Sequence, residues 1–241
     1  MSFDINTVPK YVINLSSRTD RLDHFSKEME YMGWEFNRFE ALTHEGGTGF
    51  EGCAKSHVEL SRIAEEKNYD AIMVMEDDAF FMPYAKKVLE SSLQQLENLD
   101  WDMFHLAPSI HKPISYSGEG LVNLSGPHPP KQENHRGIFG LSAYIYKPKL
   151  FTEIRKWLGC KAWKNPKLMR PIDAFFDEYI YPNFKCYAAE MPISTQIVDY
   201  SNINKGEFNV HYMIAYNWAA YVKPDFPKHF FDLNECKRSR K

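Results

Sequence analysis

Cysteine is scarce in this chain of 241 residues. Cys53, Cys160, Cys186 and Cys236 are scattered with no paired metal-ligand spacing, which argues against a zinc ribbon and offers no disulfide scaffold. No apolar run approaches the length of a membrane span, and Met1-Ser2-Phe3-Asp4 has neither the basic nor the apolar region of a signal peptide. Both absences point to a cytosolic protein with reduced thiols. Basic charge is not in excess: 29 Lys and Arg against 32 Asp and Glu give a net charge of −3, which excludes wholesale nucleic-acid binding. The local exception is the tail Lys237-Arg238-Ser239-Arg240-Lys241, which reads as a solvated terminus or as a weak contact with an anionic membrane surface. Internal repeats and a convincing linker are also missing, so one domain is expected over residues 1–241.

What is present is a core-forming composition. Hydrophobic residues make up 44% and aromatics 15%, enough for a packed interior and for an aromatic-lined groove, although ordinary core and rim positions account for most such rings. Lys10 to Leu15 reads as a buried strand. Ser16 or Ser17 is the expected cap of a helix with Leu22, Phe25, Met29 and Met32 on its apolar face and Gly33 as its stop. Trp34 to Ala41 alternates as a second strand, so the opening is a βαβ unit and implies a parallel sheet. After the loop Glu45–Gly49, a helix is expected from Cys53 to about Lys67. Ala71 to Met75 is then an unbroken apolar run of the central-strand type.

Further on, the pattern predicts a helix from about Tyr84, a strand over Trp101 to Ala107 and a long loop over 108–136. Gly140 to Lys147 reads as a strand and Pro148 as the opening of a helix. Pro171-Ile172-Asp173 starts another helix, and Lys185 to Glu190 is a short strand. Beyond Ser194 the chain resists assignment.

The central apolar run ends abruptly in Glu76-Asp77-Asp78. The carboxyl edge of a parallel sheet is where open α/β folds bind ligands. Three carboxylates packed there repel one another, and a divalent cation relieves that repulsion. In extended backbone Glu76 and Asp78 point the same way, so both can converge on one Mg²⁺ or Mn²⁺. A solvated strand end, with one acid capping the next turn, is the plainer alternative, and a phosphohydrolase or nuclease fits the triplet equally well.

The surrounding residues carry a resemblance. Val12-Ile13-Asn14-Leu15-Ser16-Ser17-Arg18-Thr19-Asp20-Arg21, Gly52-Cys53-Ala54-Lys55-Ser56-His57 and Val74-Met75-Glu76-Asp77-Asp78-Ala79-Phe80 resemble, in order and spacing, the motifs of glycosyltransferase family 25. That family includes bacterial lipopolysaccharide and lipooligosaccharide galactosyltransferases and collagen galactosyltransferases. Gly140-Leu141-Ser142-Ala143-Tyr144 and Pro171-Ile172-Asp173 are similar to its later blocks.

The resemblance implies an α/β, GT-A-like (Rossmann-like) single domain with a mostly parallel central sheet flanked by helices. Residues 1–107 would form the nucleotide-sugar half and 137–241 the acceptor-side half, joined by the loop 108–136. It also implies a UDP-sugar donor, commonly UDP-galactose, inversion at the anomeric carbon, and Mn²⁺ or Mg²⁺ held by Glu76 and Asp78. Asn14 and Leu15 would meet the nucleotide at the end of the first strand, with Asp77 beside them. Arg18 or Arg21 would meet a phosphate near a positive helix N-terminus, or simply form a solvated helix face. Ser56 and His57 open the next helix; His57 would contact the nucleotide, orient an acid of the triplet, or be a satisfied structural histidine.

Inversion requires one base to take the acceptor hydroxyl proton. Asp173 is the first choice and Asp177 the reserve, against plain helix capping for Asp173. His211 is a candidate third metal ligand, or a surface or core histidine. Trp218 and Tyr221 would stack on a sugar or pack in the core. Cys53 reads as a small buried residue, because no thiolate-stabilising partner is evident. Two other functions stay open: a catalytically degenerate carbohydrate-binding or scaffold protein, and a metal-dependent phosphohydrolase. The latter lacks a nucleophilic Asp after the first strand.

Overall fold

Val, Ile and Met dominate the two strands at the centre of the molecule, and their alternation decides what lies on each face. In β1 (Lys10–Asn14) all five residues are buried. The computed structural model describes residues 3–43, 49–111, 114, 120–126, 137–159, 171–201, 206–223, 227, 232 and 234. The basic tail, Cys160, Cys236, residue 44, residues 45–48 of the expected loop and much of 108–136 lie outside them.

Chain order after β1 is α1 (Thr19–Met32), β2 (Asn37–Glu40), α2 (Gly49–Glu66), β3 (Ile72–Glu76), β4 (Ala79–Phe81), α3 (Ala85–Leu96) and β5 (Met103–His105). The expected loop contains β6 (Ser109–Ile110) and β7 (Leu121–Asn123), followed by β8 (Ile138–Phe139) and β9 (Ala143–Tyr146). Then come α4 (Lys149–Arg155), α5 (Ile172–Phe175), a π-helical turn at Phe176–Ile180, α6 (Tyr181–Asn183) and β10 (Cys186–Ala189). The chain beyond Ser194 is ordered into β11 (Ser194–Gln196), β12 (Asp199–Ser201), β13 (Gly206–Phe208) and α7 (Val210–Tyr221).

Among the described residues the main sheet has seven strands, in the order β2-β1-β3-β9-β5-β10-β7. The expected βαβ opening is present, with β1 parallel to both β2 and β3. β5 and β10 run in the same direction, while β9 lies antiparallel between β3 and β5, and β7 is antiparallel to β10. The fold is therefore α/β, with a mixed, mostly parallel sheet flanked by helices.

Ile72 and Val74 face one side with Tyr144 and Tyr146, where Ala54, Val58, Leu150 and Phe151 bring α2 and α4 against the sheet. Met73 and Met75 face the other with Ile145, against Phe25 and Met29 of α1 and Leu89 of α3. Burial on both faces explains why β3 is an apolar run and not an alternating one. Among the described residues no helix is long and apolar enough to cross a membrane.

One local reading is corrected, and one left open is decided. Arg18, not Ser16 or Ser17, is the N-cap of α1, and it makes no side-chain cap bond. The intervening residues form a turn closed by Arg18 N–H donating to the Leu15 carbonyl at 2.9 Å, which delays the helix. Trp218 is fully buried and its indole N–H donates to the Glu190 carbonyl at 2.8 Å, so it is a core residue and offers no sugar-stacking face. Gly33 ends α1 in the left-handed region, at φ 75°, as expected of its lack of a Cβ.

Candidate active site

The site forms where β1 and β3 end side by side. β3 stops at Glu76, and Asp77-Asp78 turn the chain sharply into β4. Asp77 faces inward. One carboxylate oxygen accepts from Asn14 Nδ2 at 2.7 Å and the other from Arg21 Nη1 at 3.0 Å. Asn14 is saturated in turn, since its Nδ2 also donates to the Arg18 carbonyl and its Oδ1 accepts from Arg38 Nε at 2.8 Å. Asn14 and Asp77 thus tie the two strand ends together.

Glu76 and Asp78 converge, as the acid-x-acid spacing suggests, but through a turn and not through extended backbone. Gln196 Nε2, on β11, donates to Asp78 Oδ1 at 3.2 Å and lies 3.4 Å from Glu76 Oε2. Arg21 Nη1 also donates to Asp78 Oδ2 at 3.1 Å. Burial, then the charge of Glu76, push the Asp78 carboxyl up to about 7 despite Arg21. Asp77 is raised by burial against the pull of Asn14 and Arg21. Burial also acts to raise Glu76, but His57, with Cys53 and Arg21, outweighs it and holds that carboxyl below its ordinary range.

His57 is completely buried on α2. Its Nδ1 lies 2.8 Å from the Tyr144 hydroxyl and its Nε2 3.3 Å from Glu76 Oε1. Burial keeps the Tyr144 phenol protonated. The pattern that satisfies all three groups has Tyr144 donating to Nδ1 and Nε2–H donating to Glu76. Of the roles open to His57, the geometry matches orientation of an acid. Cys53, one turn earlier on α2, also donates to Glu76 Oε1, at 3.5 Å.

The remaining expected residues fall in several places. Leu15 sits in the turn after β1, half-buried. Arg18 pairs with the exposed Asp20, whereas Arg21 is directed at the acids. Ser56 does not face them. Its fully buried hydroxyl donates to the Gly52 carbonyl and accepts from Leu42 N–H, so it joins α2 to the chain after β2.

Asp173 lies on the first turn of α5 and accepts from Ala174 N–H at 2.9 Å, with Gly140 N at 3.5 Å. Burial and the nearby charge of Glu76 raise its carboxyl above the ordinary range, against the pull of those backbone N–H groups. Asp177 is turned elsewhere. Its buried carboxylate accepts from Ile138 N–H at 2.9 Å and presses on Gly137. His211 is buried on the first turn of α7. Among the described residues, the His, Cys and acid ligand atoms brought within 4.8 Å of one another are those of Cys53, His57 and Glu76, and His211 is not with them.

Sequence reasoning did not single out Gln196, Tyr144 or Arg38 as site residues. Tyr144 sits in a recognisable motif and could have been found there. Gln196 belongs to the stretch with no readable periodicity and carries no signal of its own.

No curated protein matches the chain significantly. Solved structures similar to it include a glycosyltransferase involved in the glycosylation of the major capsid of PBCV-1, at 12% identity and TM-score 0.47, covering 75% of this chain and 80% of that one. A197 from STIV shows 14% identity and TM-score 0.43 over 83% and 92% of the two chains. UDP-glucose pyrophosphorylase complexed with UDP-glucose shows 10% identity and TM-score 0.44 over 75% and 72%. Residues 47–125, which run from the start of α2 through the acidic turn to β7, match glycosyltransferase family 25 (LPS biosynthesis protein), the family that the N-terminal motifs resemble.

Proposed function

We propose that this chain is a metal-dependent glycosyltransferase that moves a hexose, with galactose the expected sugar, from a UDP-sugar to a hydroxyl of a glycan or other acceptor, with inversion. One observation carries the reading: Glu76 and Asp78, at the carboxyl end of a central strand, both face the single amide nitrogen of Gln196. Two carboxylates meeting at one point, one of them raised to about 7 by burial and its neighbour's charge, are a hard-oxygen donor set that suits Mn²⁺ or Mg²⁺. Glu76 and Asp78 would hold the ion. When bound, it would supply positive charge to the leaving diphosphate.

Everything else is assigned to the chain's own groups. Arg21 and Asn14 fix Asp77 and so the shape of the turn. Tyr144 and His57 fix the Glu76 carboxylate from behind. Leu15 and Arg18, at the β1 end and the α1 N-terminus, line the expected nucleotide side, while Ser56 supports α2. Asp173 is the proposed base: it lies near Glu76 and its raised carboxyl is the better proton acceptor for a hydroxyl.

The deciding experiment is thermal stability with a panel of nucleoside diphosphates, with and without Mn²⁺. A ligand bound only by the folded state raises Tm by mass action. A UDP-induced rise that requires Mn²⁺ and is lost in Asp78→Ala is expected. No rise with any nucleotide would defeat the donor-site assignment.

A further inference from the structure

The cluster of Cys53, His57 and Glu76 exceeds what orienting an acid requires. Cys53 and His57 stand four residues apart on α2, so both side chains emerge from the same face, one turn apart. The end of β3 presents Glu76 to that face. Sγ lies 3.5 Å and Nε2 3.3 Å from the same oxygen, Oε1. In a tetrahedral Zn²⁺ site, with bonds of about 2.3 Å to sulfur and about 2.0 Å to nitrogen and oxygen, the sulfur–oxygen and nitrogen–oxygen edges are about 3.5 and 3.3 Å. Two of the three edges therefore already have the length that a zinc ion imposes. The third, between Sγ and the ring nitrogen, lies within 4.8 Å, against about 3.5 Å in such a site.

The surroundings complete the pattern. Metal-bound histidines usually have their second ring nitrogen held by another group, and Tyr144 OH holds His57 Nδ1 at 2.8 Å. The Glu76 side chain retains 23% exposure and Cys53 is only half-buried, which gives an ion a way in and leaves a fourth position for water.

We propose that Cys53 Sγ, His57 Nε2 and Glu76 Oε1 form a site for a thiophilic divalent ion such as Zn²⁺, adjacent to the hard-oxygen pair and sharing Glu76 with it. Binding replaces the thiol proton, which leaves to solvent, with a sulfur–metal bond. The ring proton of His57 then moves from Nε2 to Nδ1 and is directed at the Tyr144 oxygen, whose own hydroxyl hydrogen turns away from the ring. Because Glu76 serves both places, Zn²⁺ here competes with the use of Glu76 by the donor-site cation and inhibits transfer even when Mn²⁺ is in excess. That consequence rests on the transferase reading; the site itself does not.

The test is a titration of the metal-free full chain with Co²⁺, followed by visible and near-ultraviolet absorption and then by displacement with Zn²⁺. One equivalent is expected to give tetrahedral d–d bands and a thiolate-to-cobalt charge-transfer band. The charge-transfer band should vanish in Cys53→Ala, the tetrahedral bands should weaken in His57→Gln, and both should persist in Asp78→Asn. Cys53→Ser, a smaller change, is measured in parallel, and only variants with native circular dichroism are compared. Absence of the bands in the parent protein, or a charge-transfer band that survives in folded Cys53→Ala or Cys53→Ser, overturns the proposal. Intact bands with no Mn²⁺-dependent UDP binding would leave the thiophilic site standing and defeat the transferase reading instead.

Discussion

Asp78 sits under opposing influences, since burial and Glu76 favour its neutral form while Arg21 and Gln196 favour the anion. With a folded-state value of about 7 against about 3.9 in an unfolded chain, the native state keeps a proton that the unfolded state has lost. In divalent-free buffer, stability should therefore fall as pH rises from about 4 to about 7. Glu76 has the opposite sign: its lowered carboxyl contributes stability that is lost only as the solution becomes more acidic than its ordinary value of 4.5. Thermal melts should show Asp78→Asn flattening the slope between about pH 4 and about pH 7; an unchanged slope would place the proton elsewhere. The two candidate bases separate at the same scale. Asp173→Asn should lower kcat about 10²- to 10⁴-fold, the usual worth of a positioned base, while leaving the UDP-induced rise in Tm intact. Asp177→Ala should act on stability, because it removes the carboxylate that holds Ile138 N–H, and leaving a buried donor unpaired costs about 1–3 kcal/mol. Equal losses of kcat in the two variants would contradict this division.

The elements meet at the site through positions where only glycine fits. A Cβ on Gly52 would collide with the Leu42 carbonyl oxygen. Alanine is worth about 1 kcal/mol over glycine within a helix, but a backbone clash costs about 1–3 kcal/mol, so Gly52→Ala should lower Tm. A higher Tm would mean that the chain after β2 yields freely. Gly137 has φ 89° and packs on the Asp177 carboxylate, so Gly137→Ala should be destabilising for two reasons at once. Much of this level is legible in the sequence: β1, α1, α2, β3, α3 and β10 are readable from their apolar patterns, Gly33 from its position, and the acidic cluster from three adjacent carboxylates, although the pattern suggests extended backbone there and not the turn that forms. What periodicity does not carry is direction. Gly140 to Lys147 reads as a strand, yet nothing in it announces an antiparallel place between β3 and β5. Nor does a pattern of apolar residues announce Glu28, which sits buried in the α1 face and accepts from Phe81 N–H at 2.8 Å. Ser16 and Ser17 mislead as caps because residue type is read without the turn that precedes the helix, and Gln196 is silent because a lone amide becomes informative only once β11 lies against β4.

Across the whole molecule, chain order and spatial order disagree. Residues 47–125 hold the acids and match the family, but the strand beside β3 comes from residues 143–146 and the amide joining Glu76 to Asp78 from residue 196. A fragment of residues 1–125 should therefore fail to fold, since β3 would present a bare apolar edge and β5 would lack both of its neighbours. Limited proteolysis and circular dichroism would show it, and a folded fragment would mean that β9 is dispensable. The interleaving also has a temporal meaning. During synthesis the acidic turn leaves the ribosome long before β9 and Gln196 exist, and the growing chain must carry β3 with one side unpaired until β9 has emerged, and β5 incomplete until β10 follows. Closing such distant pairings is slow, and the waiting intermediate exposes apolar strand to its surroundings. The protein's demand on chaperones should thus be greatest midway through translation, and synonymous changes that slow elongation between residues 125 and 146 should reduce the yield of native protein more than the same changes placed after 196.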